Sequence, residues 1–407
     1  MKHKLLFCLL FLTQQVIAQY KYDNTSFKTI YLNDLCEALQ KNPSHLLLDV
    51  RSKGEFYDTS TSASLNIGHL KGATNFDITD LQKRWKELLP YKDQPIFVYC
   101  SHSQRSRKVS KFLSDSGFTK IYNINGAMTE FNLLKNTDIS CSKELYETNN
   151  QFKLIAPGEV ARLLLSKKNL FILDVRSDSA FKGISRDAQA NAMGRLKGAS
   201  NIPFAQLAAS LDKIPKNTTI LVTADYGRET NLAATLLTEK GFTDVYAAFN
   251  GMNQWISASE KELPMRRQLW ENSNGFTIIT AEEMDAMLTR TPNTYILDAR
   301  SKEEFTNEVK KDTWRNRGHV PNAVNIPATE LANRANEIAS YKNKDIILYT
   351  FGSNPEAFEA ASTLAANGFT KVHVLAGGLW DIRWKAANLK GLSHLMKWVV
   401  DVPEDNL

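Results

Sequence analysis

The sequence predicts an α/β protein built from three tandem copies of one domain, each a mostly parallel sheet with helices on both faces. Two observations predict this fold class. Segments of the chain recur in constant order at a spacing of about 125 residues, the signature of a repeated unit. Short runs of consecutive apolar residues alternate with helical patterns in each copy, which is typical of strands buried on both faces. A unit of about 120 residues can bury its own core.

The recurring segments are of three types: an Asp-x-Arg strand end, a segment that begins with Gly and ends with Ala, and a Gly-Phe-Thr turn. They stand at residues 48–52, 173–177 and 297–301, at 68–73, 194–199 and 318–323, and at 117–120, 241–244 and 368–371. We therefore expect domains over 25–140, 150–262 and 275–395, followed by a C-terminal tail over 396–407.

Each copy alternates strand and helix in the same order. In the first copy, apolar runs at residues 46–48, 96–99 and 121–124 predict strands. A helix with an apolar face follows the second run, and we expect Ser106 to cap it. Glycines close the last strand of each copy, at Gly126, Gly251 and Gly377.

The amino terminus has the pattern of a secretory signal. Lys2 and Lys4 precede an apolar stretch over residues 5–12, and Ala18 offers a small residue for cleavage. Eight apolar residues are too few for a membrane span, which needs about 20. We expect residues 1–18 to be removed, leaving an exported chain without a membrane span, in the periplasm or the extracellular space.

Composition is that of an ordinary globular protein, with 43% hydrophobic and 23% charged residues. The formal net charge of +6 includes Lys2 and Lys4 of the signal, and no long basic run follows them. The charge pattern therefore argues against a nucleic-acid partner.

Three cysteines remain once the signal with its Cys8 is set aside: Cys36, Cys100 and Cys141. An odd number in an oxidising compartment leaves one thiol unpaired in each monomer. Cys36 shares an apolar helical face with Leu32 and is expected in the core. For Cys141, in a polar connector, three roles stay open: a disulfide with Cys36, a resolving role for Cys100, or none.

Cys100 has the position of an activated nucleophile. It follows the apolar run 96–99 directly and precedes a helical pattern, so its thiol stands where a strand becomes a helix. The thiolate is the reactive form of cysteine, and a free cysteine thiol has a pKa of about 8.5, so only a small fraction is ionised at neutral pH. Backbone N–H groups of such a loop, together with a helix amino terminus, stabilise an anion at this point.

In these motifs the chain resembles the rhodanese sulfurtransferases, over essentially the whole mature length. The resemblance implies transfer of sulfane sulfur through a cysteine persulfide, from a small anionic donor such as thiosulfate to a thiol or a cyanide-like acceptor, with no cofactor and no metal. One departure from the family is a longer loop in every copy, over residues 56–68, 181–194 and 305–318. Its role is open.

The resemblance also assigns roles to residues. Cys100 would be the nucleophile, and Arg105 matches the arginine that closes the family loop, where it braces the backbone and adds positive potential. Asp49 and Arg51 match a strand-end pair that we read as scaffold hydrogen bonding, as we read His69. His102 is either a group that polarises the donor or a bystander. The remaining loop residues, expected to surround the substrate, are Ser101, Ser103 and Gln104.

Loop length argues against a phosphatase. Phosphatases and arsenate reductases of the Cys-loop-Arg type keep five residues between the two side chains, whereas four separate Cys100 from Arg105. Arg107 would need six and fits no better; we expect Arg107 and Lys108 on an exposed helix face.

The other two copies lack the cysteine. Counting back from the Gly-Phe-Thr turn places Ala224 at the position of Cys100 in the second copy, with Glu229 in place of Arg105. In the third copy the count reaches Phe351, or Thr350 if the loop is one residue longer. We expect both domains to be inactive and to serve structure or a protein partner.

Two rival hypotheses remain. The whole chain could be a non-catalytic scaffold that binds partners, or a redox protein that pairs Cys100 with Cys141.

Overall fold

The computed structural model describes residues 26–166 and 168–404, so the predicted signal over 1–18 lies outside it. Three domains follow one another, each with a five-stranded parallel sheet, which confirms the predicted fold class. The strands in sheet order are Lys28–Ile30, Ile121–Ile124, Ile96–Tyr99, Leu46–Asp49 and Thr74–Asn75, then Lys153–Ile155, Val245–Ala248, Thr219–Thr223, Leu170–Asp174 and Ser200–Asn201, then Thr277–Ile279, Val372–Leu375, Ile346–Tyr349, Tyr295–Asp298 and Val324–Asn325.

Helices cover both faces of each sheet because alternate strand residues point to opposite sides. In the first domain Phe97 packs in a core with Leu32 and Phe131, while its neighbour Val98 packs in a second core with Val109. The α-helices are Leu32–Gln40, Lys53–Phe56, Leu81–Arg84, Gln104–Asp115, Ala127–Leu134, Ser142–Leu145, Pro157–Ser166, Asp178–Lys182, Ala188–Ala192, Phe204–Leu207, Gly227–Glu239, Gly251–Ser257, Ala281–Arg290, Lys302–Phe305, Ala328–Arg334, Pro355–Ala366 and Gly378–Asn388.

Short 3-10 helices fill several connections, at Ala63–Leu65, Ile78–Asp80, Trp85–Tyr91, Leu211–Lys213, Thr313–Arg315, Ala335–Tyr341 and Ser393–Trp398. Within the described ranges, no helix has the length and apolar character needed to cross a membrane.

The segment after each domain returns to pair with that same domain. Tyr146–Glu147 pairs antiparallel with His69–Leu70, and Trp270–Glu271 pairs in the same way with Arg195–Leu196. In the third domain Val400 forms the equivalent bridge with His319. We call these three pieces the closing segments. The predicted C-terminal tail is therefore docked on its domain for as much of it as is described.

Cys36 and Cys141 form a disulfide with their Cα atoms 5.8 Å apart. Of the roles left open for Cys141, the structure shows the disulfide. The bond ties the first helix of domain 1 to the segment that follows its last helix. Cys100 is the free cysteine of the described chain, and Cys141 is not available to it in this state.

The longer loops join each domain to the next. Asn231, on the helix that follows the central strand of domain 2, donates to the carbonyl of Ala63 in the loop of domain 1, at 2.9 Å. Gln189, in the loop of domain 2, donates to the carbonyl of Ser353 in domain 3, at 2.6 Å. The extra length thus builds interdomain contacts.

Candidate functional site

Cys100 follows the last residue of the central strand Ile96–Tyr99 and is buried, with 1% of its surface exposed. Helix Gln104–Asp115 begins four residues later. Between them Ser103 has a φ of +72°, a left-handed conformation that lets the chain turn back sharply into the helix. The thiol therefore lies at the junction of strand and helix.

Hydrogen bonds fasten this loop to the neighbouring helix Ala127–Leu134. The carbonyl of Cys100 accepts from the backbone N–H of Met128, and that of Ser101 accepts from Thr129, both at 3.1 Å. The Ser103 hydroxyl accepts from the N–H of Gly126 at 2.6 Å. Because the loop carbonyls are turned outward into these bonds, the loop has a fixed shape.

The amide groups of the loop are left unused. Within the described ranges, the backbone N–H groups of Ser101, His102 and Ser103 donate to no other protein group. Successive free N–H groups ahead of a helix amino terminus form the type of concavity that holds an anion.

Arg105 is paired with a carboxylate that the sequence analysis did not identify. Its guanidinium makes two hydrogen bonds to Glu55, at 2.6 and 2.7 Å, and a third to the Ser101 hydroxyl at 2.9 Å. Burial alone would raise the pKa of Glu55, but the hydrogen bond and charge of Arg105 outweigh it and hold that pKa below its usual value. Arg105 thus holds a side chain of the loop rather than its backbone, and Glu55 compensates much of its charge.

A sequence signal for Glu55 did exist. Ser52 and Glu55 form a capping box at the start of helix Lys53–Phe56, and Ser-x-x-Glu is its pattern. The pattern predicts a helix start, and it gives no indication that the same carboxylate reaches the Cys100 loop 50 residues later.

His102 lies exposed at the rim of the loop. Its ring nitrogens are 2.9 Å from the Ser101 hydroxyl and 3.0 Å from that of Thr129. Loss of solvent around part of the ring, followed by the charge of Arg105, lowers the pKa of His102. Gln104 is exposed at the first position of the helix.

Asp49 and Arg51 lie at the end of the neighbouring strand Leu46–Asp49, and both are fully buried. Arg51 donates to both carboxylate oxygens of Asp49 and to the carbonyl of Gly68. His69, next to that carbonyl, is buried against the Phe56 ring at 4.1 Å. The same Asp–Arg–carbonyl arrangement recurs with Arg176 and Arg300 in the other domains, so it does not depend on the cysteine.

Two expectations about this helix were wrong. Ser106 is not its cap: Ser103 holds that position, and the Ser106 hydroxyl donates back to the Ser103 carbonyl. Arg107 is not on an exposed face. It is buried and donates to Asn125 at 2.7 Å and to Asn388 of domain 3 at 3.0 Å, so it joins the Cys100 helix to the third domain.

Two residues occupy the position of Cys100 in the other domains. The carbonyls of Ala224 and Thr350 accept from Met252 and Leu379, as that of Cys100 accepts from Met128. The third loop is therefore the longer alternative, with Thr350 rather than Phe351 at the site. In domain 2 the next residue, Asp225, forms an ion pair with Arg176 at 3.2 Å.

The described residues contain no group of three or more histidine, cysteine or acidic side chains arranged to hold a metal ion.

Comparison with known proteins identifies the repeated unit. A family model described as Rhodanese-like domain matches residues 32–134, 156–258 and 280–383. The uncharacterized protein YqhL of Bacillus subtilis is 30% identical over 116 residues, which cover 28% of this chain and 81% of that protein. Thiosulfate sulfurtransferase GlpE of Tolumonas auensis is 29% identical over 89 residues, 22% of this chain and 74% of the relative.

Other matches are partial or distant. Three tRNA uridine(34) hydroxylases match over only 26%, 35% and 33% of their own length. The crystal structure of thiosulfate sulfurtransferase from Pseudomonas aeruginosa aligns over 87% of this chain and 67% of its own, with 19% identity and a TM-score of 0.22.

Proposed function

This chain belongs to the rhodanese-like family, with three such domains in tandem, and we propose that its first domain is a sulfurtransferase that carries sulfane sulfur on Cys100. One observation carries the proposal. Among the residues that the structure describes, only domain 1 combines a cysteine at the strand-to-helix junction with three backbone N–H groups beside it that donate to no protein group.

The reaction has two displacements. The Cys100 thiolate attacks the outer sulfur of thiosulfate or of a persulfide donor, and the donor's S–S bond breaks. Sulfite, or a thiolate, leaves with the electron pair, and Cys100 becomes a persulfide. A cyanide or thiolate acceptor then attacks the terminal sulfur and forms thiocyanate or a new persulfide, which returns the Cys100 thiolate. No external oxidant or reductant is needed.

Each loop residue has a role in this scheme. The N–H groups of Ser101, His102 and Ser103 would hold the negative charge on the persulfide and the donor. Arg105 is a positioning residue that fixes Ser101 through its hydroxyl. Gln104 and His102, exposed at the mouth, would meet the donor, and Asp49 with Arg51 would keep the strand end in place.

Export forms part of the proposal. The pattern of residues 1–18 predicts it, and the Cys36–Cys141 disulfide supports it because such bonds persist in oxidising compartments. Cell fractionation with amino-terminal sequencing tests this point, and we expect a secreted or periplasmic form that begins at Gln19.

The test of transfer is the intact mass of the reduced protein after thiosulfate, followed by peptide mapping. We expect a gain of about 32 Da on Cys100 that cyanide removes. Absence of the gain on a reduced Cys100, with thiosulfate and with a persulfide donor, would contradict the proposal. It would favour the rival scaffold, which the burial of Cys100 and the loss of cysteine from two copies also support.

A further inference from the structure

A cavity of about 480 Å³ lies where the three domains meet. Most of its wall comes from the same element of each domain, the helix that follows the last strand: Ala127–Leu134, Gly251–Ser257 and Gly378–Asn388. His102 of the Cys100 loop lines one side of it. Because the repeat places these helices alike, one position of the repeat faces the cavity three times. We call this space the central cavity.

That repeated position is occupied by Glu130, Gln254 and Asp381. Each of them stands six residues after the end of the last sheet strand of its domain. Two of the three copies therefore present a carboxylate and the third its amide counterpart. Glu262, after the second domain's helix, adds another carboxylate to the wall.

Glu130 is the informative member of this set. Only 8% of its surface is exposed, and its carboxylate has no hydrogen-bonding partner within the described ranges, yet it lines the cavity. A carboxylate that is largely withdrawn from water and receives no hydrogen bond from the protein is less stable when ionised, and a cation or donor in the space beside it would reduce that cost.

The charged groups around Glu130 include more carboxylates than ammonium groups, so they do not neutralise its charge. The groups that act most strongly on Glu130 are the carboxylates of Glu262, Glu282 and Asp381 and one ammonium, that of Lys385. Lys385 is already bound to Glu282 at 2.8 Å and lies 3.4 Å from Asp381. Burial, followed by the charge of Glu262, raises the pKa of Glu130 to about 7.

Aromatic rings complete the wall. Trp380 and Trp384 stack at 6.0 Å on one turn of the third domain's helix, and Phe351 lies in the same cavity. Nearly half of the Trp380 surface is exposed. Indole faces attract cations and also cover apolar surface. A ligand that combined a positive charge with an apolar body would satisfy both halves of this wall.

We propose that the central cavity is a binding site for a small organic cation, an ammonium group on an aromatic or apolar body. The site goes beyond the sulfur transfer proposed above and requires no reaction at Cys100. It stands on Glu130, to which no protein group donates, on the excess of carboxylates and on the tryptophan pair, which line one partly open cavity.

The test uses three indole compounds of similar shape and different charge: tryptamine, tryptophol and indole-3-propionate. Titration calorimetry and ligand-observed NMR at pH 8 would measure their affinities for the full chain. We expect tryptamine to bind at least about tenfold more tightly than tryptophol, and the carboxylate more weakly than both. Equal affinity for tryptamine and tryptophol would overturn the proposal.

Variants test whether tryptamine binds in the central cavity beside Glu130. Glu130→Gln should weaken tryptamine about tenfold and leave tryptophol unchanged, whereas Gln254→Glu, which adds the missing carboxylate at the equivalent position, should strengthen it. Glu239→Gln removes an exposed carboxylate elsewhere and is the matched control. The proposal fails if Glu239→Gln weakens tryptamine as much as Glu130→Gln does. It also fails if Gln254→Glu has no effect in a variant shown by thermal unfolding to be folded.

Discussion

Domains 1 and 3 have nearly the same frame around their central loops and differ in what the frame holds. In both, a buried arginine joins an aspartate to a glycine carbonyl, and a serine hydroxyl accepts from a glycine N–H at 2.6 Å. In domain 1 the first loop residue is Cys100. In domain 3 it is Thr350, whose hydroxyl lies 2.7 Å from the Gly352 carbonyl and 2.6 Å from Asn354.

The arginine that pairs with the capping glutamate also differs. Glu55 of domain 1 pairs with Arg105 from the loop itself. Glu304, its counterpart, pairs instead with Arg315 from the longer loop, and Arg315 lies over the Phe351 ring at 5.5 Å. The two domains thus share the same backbone frame and differ in the side chain at the first loop position and in the arginine that pairs with the capping glutamate.

The largest expected effect comes from removing the sulfur of Cys100. Cys100→Ser should lower thiosulfate-to-cyanide transfer by at least about 1,000-fold, because a hydroxyl does not ionise near neutral pH and forms no persulfide. Thiocyanate formation is the measurement. Transfer at the wild-type rate would show that the first domain's loop is not the site.

A second variant places a cysteine at the equivalent position of domain 3. Thr350→Cys in the Cys100→Ser background should restore no transfer, since the third loop is one residue longer and Arg315 lies over the ring of Phe351, the next residue. Recovery of activity would mean that a thiol at this position is sufficient for transfer, and that the longer third loop does not prevent it.

The disulfide sharpens the comparison next, because of the three domains only the first has one in the described chain. Replacing both Cys36 and Cys141 with serine should lower the free energy of unfolding of domain 1 by about 4 to 5 kcal/mol, as expected for a bond between residues 105 positions apart. Hydrogen exchange resolved by domain measures this. Equal loss of protection in domains 2 and 3 would contradict it.

Glu130→Gln makes domain 1 match domain 2, which has Gln254 at this position. Because burial raises the pKa of Glu130 to about 7, the folded protein holds its proton more tightly than the unfolded chain does. Stability is therefore greatest below about pH 4.5 for this group and falls as pH rises to 7, by about 3 kcal/mol.

The variant should lose that part of the pH dependence and be more stable than wild type at pH 8. Denaturant unfolding at pH 5 and pH 8 measures the difference, with Glu239→Gln as the control that should retain it. A wild-type pH dependence in Glu130→Gln would contradict the assignment.

The smallest expected effects come from replacing the arginine that pairs with the capping glutamate, Arg105 in domain 1 and Arg315 in domain 3. Arg105→Gln leaves Glu55 buried without its cation and should destabilise domain 1 by about 2 kcal/mol, less than a fully buried pair because Arg105 is partly exposed. It should also lower kcat/KM for thiosulfate about tenfold through the loosened Ser101.

Arg315→Gln is the control from domain 3. It should destabilise its own domain by a similar amount and leave sulfur transfer unchanged. A fall in transfer with Arg315→Gln would show that domain 3 acts on the site of domain 1.

Local patterns predicted much of this molecule. Apolar runs and repeated glycines predict the three sheets, and the position of Cys100 between a strand and a helix follows from neighbours within a few residues. The partners of Arg105 and Arg107 could not be predicted in that way. Glu55 and Asn388 lie 50 and 281 residues away from them along the chain, and only packing brings them close. The same holds for Glu130, whose neighbours in the central cavity include residues of the two other domains.

The closing segments bear on how such a chain can grow. Each one pairs with the domain that precedes it, at Tyr146–Glu147, Trp270–Glu271 and Val400. A gene segment that encodes one domain with its closing segment specifies a unit whose own ends are already paired. A duplication of that gene segment adds a complete domain, and the closing segments of the existing domains remain paired. The chain could therefore lengthen by whole copies.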